Sequence, residues 1–234
     1  MQNILITGAN RGIGLALTKE YLSQGDCRVF ASCRNPAGAA ELNELAESHA
    51  GRLLVLQLDV NDEASIKRAV DAVSAEAGSL DALINNAGIS GSDGARNMGQ
   101  LIAAEVASVI TTNAVAPLIV TQACRELLQK SDNPRVVMIS SGLGSLARTG
   151  GNAYAYRMSK AAMNMAARAL AFDGAMAGIT TVTVAPGWVK TDMGGPNAVL
   201  QPEESASGLL TLIDGLSSGD NGNFFRFDGS QLPW

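Results

Sequence analysis

The sequence predicts an α/β fold: a single doubly wound parallel sheet of about seven strands with helices on both faces, in one domain over residues 1–234. Three observations predict it. Short branched apolar runs recur along the chain, stretches of helical periodicity separate them, and most runs are continuous rather than alternating, as in strands buried on both faces. Strands joined by helices make right-handed parallel crossovers, and ligands then sit beyond the carboxyl ends of the strands.

The first strand, at 4–6, runs into Thr7-Gly8-Ala9-Asn10-Arg11-Gly12-Ile13-Gly14 and then a helix over 13–23. Glycines allow positive φ and close backbone approach to a pyrophosphate. The following helix N-terminus offers free N–H groups and a positive dipole end. This strand–turn–helix placement makes the fold Rossmann-type and assigns Gly8, Asn10, Arg11, Gly12, Ile13 and Gly14 to a dinucleotide. A second strand at 28–33 ends at Cys33, and Arg34 follows. An acidic residue here would receive the ribose hydroxyls of NAD. Arg34, joined by Arg11, instead suits a 2′-phosphate, since a guanidinium fork matches phosphate oxygens. NADP(H) is therefore the expected cofactor, ahead of NAD(H).

Further on, the pattern gives helices at 37–50, 63–77, 98–130, 153–177 and 202–216. Strands alternate with them at 53–58, 82–84, 136–139, 181–185 and 224–227. Pro117 falls inside the long helix at 98–130. It lacks an N–H, and its ring clashes with the carbonyl four residues back, so the Asn113 carbonyl is expected to leave the helical ladder and take a water.

Composition excludes several functions. Lys plus Arg number 17 against 22 Asp plus Glu, a net charge of −5, which argues against a nucleic-acid surface. Hydrophobic residues make up 47% and charged ones 17%, so the chain is not disordered. No apolar run approaches the ~20 residues of a membrane span. No secretory signal precedes the first strand, and a cytoplasmic protein is expected. The lone His49 and the scattered Cys27, Cys33 and Cys124 offer neither metal-ligand spacing nor a disulfide framework, so no metal is expected. With His49 as its one histidine, the chain is not expected to carry a hydrolytic triad.

Tyr156-Arg157-Met158-Ser159-Lys160 carries the chemistry. An i, i+4 spacing puts Tyr156 and Lys160 on one helix face. A phenol ionises near pH 10, and a nearby ammonium stabilises the phenolate. Lowering that pKa by ~2–3 units takes roughly 3–4 kcal/mol. Tyr154 has Met158, not lysine, four residues on.

With these pieces the chain resembles the short-chain dehydrogenase/reductase family from Thr7 to at least Thr191. The glycine loop, Asp59-Val60, Asn85-Asn86-Ala87-Gly88, Asn113, Ser141, Tyr156 with Lys160, and Pro186-Gly187-Trp188-Val189-Lys190-Thr191 occur in register. The length and the ending Gly229-Ser230-Gln231-Leu232-Pro233-Trp234 look most like the branch of C-factor-like and sniffer-like carbonyl reductases. The resemblance implies Tyr156 as general acid and Lys160 as its tuning group and ribose ligand. It implies Ser141 on the substrate oxygen, with Ser140 or Ser145 as substitutes, and Asn113 in a water relay to Lys160. Asp59 and Val60 would flank the adenine, with Asn86, Ala87 and Gly88 behind the ribose. Pro186, Gly187, Val189 and Thr191 would hold the carboxamide and phosphate side. The resemblance also implies a homodimer or homotetramer across the helices at 98–130 and 153–177, with Ala161, Ala162, Ala166, Ala167 and Ala169 permitting close approach. The expected function is NADP(H)-dependent reduction of small aldehydes or ketones. An NAD-dependent alcohol dehydrogenase and a nucleotide-binding regulatory protein without turnover are the alternatives.

Overall fold

The computed structural model describes residues 1–234. Its strands are β1 (Gln2–Thr7), β2 (Cys27–Cys33), β3 (Leu53–Gln57), β4 (Ala82–Asn85), β5 (Arg135–Ile139), β6 (Thr180–Ala185) and β7 (Phe224–Arg226). They form one sheet in the order β3-β2-β1-β4-β5-β6-β7, and every pairing is parallel. This is the Rossmann-like α/β sheet the alternation predicts. The chain reverses direction across the sheet between β3 and β4, so a crevice opens beyond the carboxyl ends of β1 and β4.

Adjacent β1 residues serve opposite layers. Ile4 and Ile6 join the core under α1 (Gly12–Gln24), α2 (Ala40–Ser48) and α7 (Pro202–Gly215), with Leu17, Leu42 and Leu209. Leu5 joins the core under α3 (Glu63–Ala77), α5 (Ala116–Leu128) and α6 (Tyr154–Phe172), with Ile66, Val120 and Met163. Burying such an aliphatic side chain stabilises the fold by roughly 1.5–3 kcal/mol each. Continuous apolar strands follow from having helices on both faces.

The predicted long helix differs in detail. It begins as α4 (Ala103–Ile110), passes through a π turn over Thr111–Val115, and resumes as α5. The Ala116 N–H reaches back five residues to the Thr111 carbonyl. Pro117, the next residue, has no N–H with which to restore the four-residue ladder. A wide turn at a proline is therefore what the backbone adopts, and Asn113 sits inside it. By length and mean hydropathy, Ala103–Leu128 is apolar enough to cross a membrane, although Thr111, Thr112, Asn113 and Thr121 interrupt any continuous apolar run. In the fold, its Val120, Cys124 and Leu127 are buried against the sheet layer. Two other helices are shorter than their patterns. The predicted 37–50 divides into a 3-10 turn at Pro36–Gly38 and α2, and 153–177 into α6 and a 3-10 turn at Gly174–Met176.

Candidate active site

The glycine loop is tied to the end of β4. The Thr7 hydroxyl accepts from the backbone N–H groups of Asn86 and Ala87, both at 3.0 Å. The Asn86 side-chain amide donates to the carbonyls of Thr7 at 2.9 Å and Gly8 at 3.1 Å. Two positions require glycine. Gly8 has φ +66° and lies against Ala87, and a Cβ on Gly14 would fall 2.6 Å from the Asn86 amide nitrogen. Asn86 thus braces the loop from behind.

A cleft of about 530 Å³ follows this loop across the sheet edge. Gly8, Asn10, Arg11, Gly12 and Ile13 form its floor, and Arg34, Asp59 and Val60 one end. Asn86, Ala87, Gly88, Pro186 and Thr191 line the middle, and Tyr156 and Lys160 the other end. The sequence-expected Gly14 lies beneath the loop rather than on the surface. Gly187 and Val189 face a second cavity of about 700 Å³ instead. Tyr156 borders both spaces. Ser141 lines the second cavity, while the Ser140 hydroxyl is buried and donates to Asn164 Oδ1 at 2.6 Å. Ser145 donates to the Pro233 carbonyl at 2.7 Å. Ser140 also lines the first cleft, but its hydroxyl is committed to Asn164, whereas the Ser141 hydroxyl faces the Tyr156 phenol. Ser141 Oγ accepts from the Leu143 N–H at 3.1 Å, which leaves the hydroxyl proton free to donate elsewhere.

Asn113 is fully buried and lines neither space. Its Oδ1 accepts from the Ile89 N–H at 2.8 Å, and its Nδ2 donates to the Ile89 carbonyl at 2.8 Å and to Ser159 Oγ at 3.0 Å. The π turn thus aims an amide that clamps the segment after β4 onto α6. Helix α6 begins from Asn152 and Ala153, which have φ of 64° and 50°. Two consecutive side-chain-bearing residues in the left-handed region cost roughly 1–2 kcal/mol each. That turn swings Tyr156 to the cavity edge.

Burial dominates the electrostatics of both groups. Burial pushes the Tyr156 phenol up, and the facing Ser141 hydroxyl works in the opposite direction. Burial lowers Lys160 itself to about 7, so near neutrality it is only partly charged. Its Nζ donates to the Ile139 carbonyl at 2.7 Å and lies 5.7 Å from the Tyr156 ring centroid. A lysine whose folded pKa lies below its unfolded value costs stability while the unfolded chain holds the proton. That cost shrinks as pH rises from about 7 toward the unfolded value. Denaturant unfolding should therefore show stability rising by up to about 1 kcal/mol between pH 7 and 8, with the rise absent in Lys160→Met. Equal slopes in the two proteins would contradict the burial of a proton-losing amine.

Arg11 also departs from expectation. Its Nη1 pairs with Asp192 Oδ2 at 2.7 Å across the cleft mouth, whereas Arg34 has no carboxylate partner. The loop carrying Asp192 is closed on itself, with the Trp188 indole donating to the Gly194 carbonyl at 2.9 Å and Val189 bridging Leu200. Trp188 lines the second cavity, while Trp234 stacks on Phe224 at 5.3 Å between ring centroids.

The comparisons agree with this geometry. Residues 2–199 match the family profile of the short chain dehydrogenases. The C-signal protein of Myxococcus xanthus is 48% identical over 158 residues, 67% of this chain and 94% of that one. Among solved structures, the carbonyl reductase Sniffer of D. melanogaster superposes with a TM-score of 0.94 at 34% identity, covering 100% of both chains. The NADPH-bound carbonyl reductase from chicken fatty liver gives a TM-score of 0.94 at 37% identity, covering 100% of this chain and 99% of that one. The profile match spans most of the sequence and the fold matches end to end: this chain belongs to the short-chain dehydrogenase family of oxidoreductases.

Proposed function

We propose that this protein is an NADP(H)-dependent reductase of small aldehydes and ketones, working as one catalytic domain in the cytoplasm. The observation that carries the reading is the position of Tyr156, on the boundary between the cleft and the second cavity with Ser141 beside it. The glycine loop suits the pyrophosphate, and unpaired Arg34 suits a 2′-phosphate. Arg11 joins it only by leaving Asp192. NADPH, when bound, supplies the hydride that converts the carbonyl carbon to a carbinol and leaves NADP⁺.

The protein's own groups handle the oxygen. Ser141 donates to the carbonyl oxygen and orients it, and Tyr156 Oη delivers the proton that completes the alcohol. Burial pushes the phenol up, so it holds its proton at neutral pH and is in the form that donates to the developing alkoxide. Lys160 reaches toward the ribose side of the cleft. Asn113 holds the Ile89 segment against α6 and keeps Lys160 and Tyr156 in register. NADPH consumption with a panel of aldehydes and ketones, matched by alcohol formation one for one, tests this reading.

The reading includes self-association. Met158, Met165 and Phe172 are exposed on α6 at helical spacing with exposed Ala162 and Ala169 between them. Val115 and Leu118 are exposed on the neighbouring helix. Ala167, expected at the contact, lies in the core instead, and Ala161 and Ala166 are half-buried. Light scattering at micromolar concentration should return a mass two or four times 24.1 kDa. A mass of one chain would contradict the contact.

A further inference from the structure

The cavity beyond Tyr156 carries a charge pattern that carbonyl reduction alone does not require. Its lining includes Arg96, Arg148 and Arg226 and no carboxylate, in a chain where acids outnumber bases 22 to 17. These arginines come from three separate segments: the turn after β4, the loop after β5, and the end of β7. Their arrival in one cavity is a product of the topology and of no local sequence pattern.

Most arginines in this protein are engaged. Arg11, Arg28, Arg68, Arg135 and Arg226 face carboxylates. Arg52, Arg157 and Arg168 donate to backbone carbonyls. The guanidinium groups without such a partner belong to Arg34, Arg96, Arg125 and Arg148. One of these lies in the nucleotide cleft and two in the cavity beside the proton donor. Arg226 is half-committed, 3.4 Å from Asp228 and over the Phe227 ring.

The backbones that carry the two free arginines are fixed. The Arg96 carbonyl accepts from the Tyr154 N–H at the start of α6, at 3.4 Å. The Arg148 N–H donates to Ser145 Oγ at 3.2 Å, and Ser145 in turn holds the Pro233 carbonyl. The neighbouring Ala147 N–H donates to the Trp234 carbonyl at 2.9 Å. These exposed side chains thus rise from anchored backbone at the rim of the cavity, and those of Arg96 and Arg148 have no carboxylate partner.

We propose that this cavity selects carbonyl substrates bearing an anionic group, a carboxylate or a phosphate monoester, with Arg96 and Arg148 as the recognition pair and Arg226 as an auxiliary cation. The proposal rests on the reading of Tyr156 as the proton donor and names the substrate class for it. The carbonyl sits at Ser141 and Tyr156, and the anion faces the arginines. A guanidinium presents paired N–H donors that match both carboxylate and phosphate oxygens. The apolar part of the cavity, Leu143, Trp188, Met193 and Leu232, distinguishes neutral tails by only about 10–200-fold per methylene at most. Charge therefore adds a discrimination that the apolar lining does not make.

Two measurements on wild type and on Arg96→Gln/Arg148→Gln test it. The first is the ratio of kcat/KM for 4-formylbenzoate to that for its methyl ester, and for glyceraldehyde 3-phosphate to that for glyceraldehyde. Intrinsic carbonyl reactivity cancels when each ratio is compared between the two proteins. The second is calorimetric titration of benzoate and benzamide, neither of which is reducible here, into the NADP⁺-loaded protein. The ratio for the preferred anion should fall at least tenfold in the double variant, and the pair of ratios distinguishes carboxylate from phosphate. Benzoate should bind wild type more tightly than benzamide, and the advantage should shrink in the variant and at high salt. Equal ratios in the two proteins, or equal binding of benzoate and benzamide by wild type, would overturn the proposal. If nothing is reduced while benzoate still binds through the arginines, the anion site stands and the reductase reading falls.

Discussion

Tyr156→Phe should lose turnover by roughly 10²–10⁴-fold, the usual contribution of a positioned general acid, while NADPH binding stays close to wild type. The substitution keeps the ring and its place at the junction of cleft and cavity, and removes only the hydroxyl. No other phenol replaces it, because Tyr154 has no lysine four residues on and Tyr21, on α1, is fully buried in the core. The residual rate would come from positioning by Ser141 and from the bound nucleotide itself. Paired steady-state kinetics and NADPH fluorescence titration read the two effects separately. A variant that keeps more than a tenth of wild-type activity would remove Tyr156 from the role of proton donor. A variant that also loses NADPH binding would point to a structural part for the residue.

Cofactor choice should invert in Cys33→Asp combined with Arg34→Ala. Cys33 lies at the end of β2, lines the cleft, and is buried enough that its thiol is pushed up, with the Asn35 N–H opposing that shift. A carboxylate there would inherit the Asn35 N–H, repel a 2′-phosphate and accept ribose hydroxyls. Removing the Arg34 guanidinium takes away the one unpaired cation at that end of the cleft. Hydrogen bonds to charged groups contribute about 1.5–3 kcal/mol each. The ratio of kcat/KM for NADPH to that for NADH should therefore fall by about a hundredfold or more. Wild-type protein that already prefers NADH would refute the assignment of Arg34. Because Arg11 is held by Asp192, Arg34→Ala alone should account for most of the change.

Some of this structure was legible in the chain and some was not, for physical reasons. Strands buried on both faces write themselves as branched apolar runs, so Ile4-Leu5-Ile6 and Val136-Val137 announced the sheet. A phosphate loop must have glycine where backbone crowds backbone, so Gly8 and Gly14 were visible. The Tyr156–Lys160 pair was visible because a helix fixes its neighbours by spacing alone. Pro117 signalled a break in its helix, but not that the break is a π turn that turns Asn113 onto Ile89. That outcome depends on which carbonyl and N–H groups find partners in three dimensions. The burial of Lys160 was not legible either: spacing reports proximity, whereas the charge on a buried amine depends on how much protein surrounds it. Least visible were contacts between distant segments. The Arg11–Asp192 pair joins residues 181 apart, and Arg96 and Arg148 meet in one cavity only because of strand order. No local pattern encodes either.

The central claim is tested most directly by steady-state kinetics of the purified wild-type protein with NADPH and NADH side by side, over neutral and anionic aldehydes and ketones. The account predicts carbonyl-dependent oxidation of NADPH, matched by alcohol formation and faster than with NADH. If NADPH binds but no carbonyl increases its oxidation above the buffer rate, the chain is a nucleotide-binding protein that uses this fold without turnover. A clear preference for NADH with an alcohol as the better substrate would make it an NAD-dependent dehydrogenase instead.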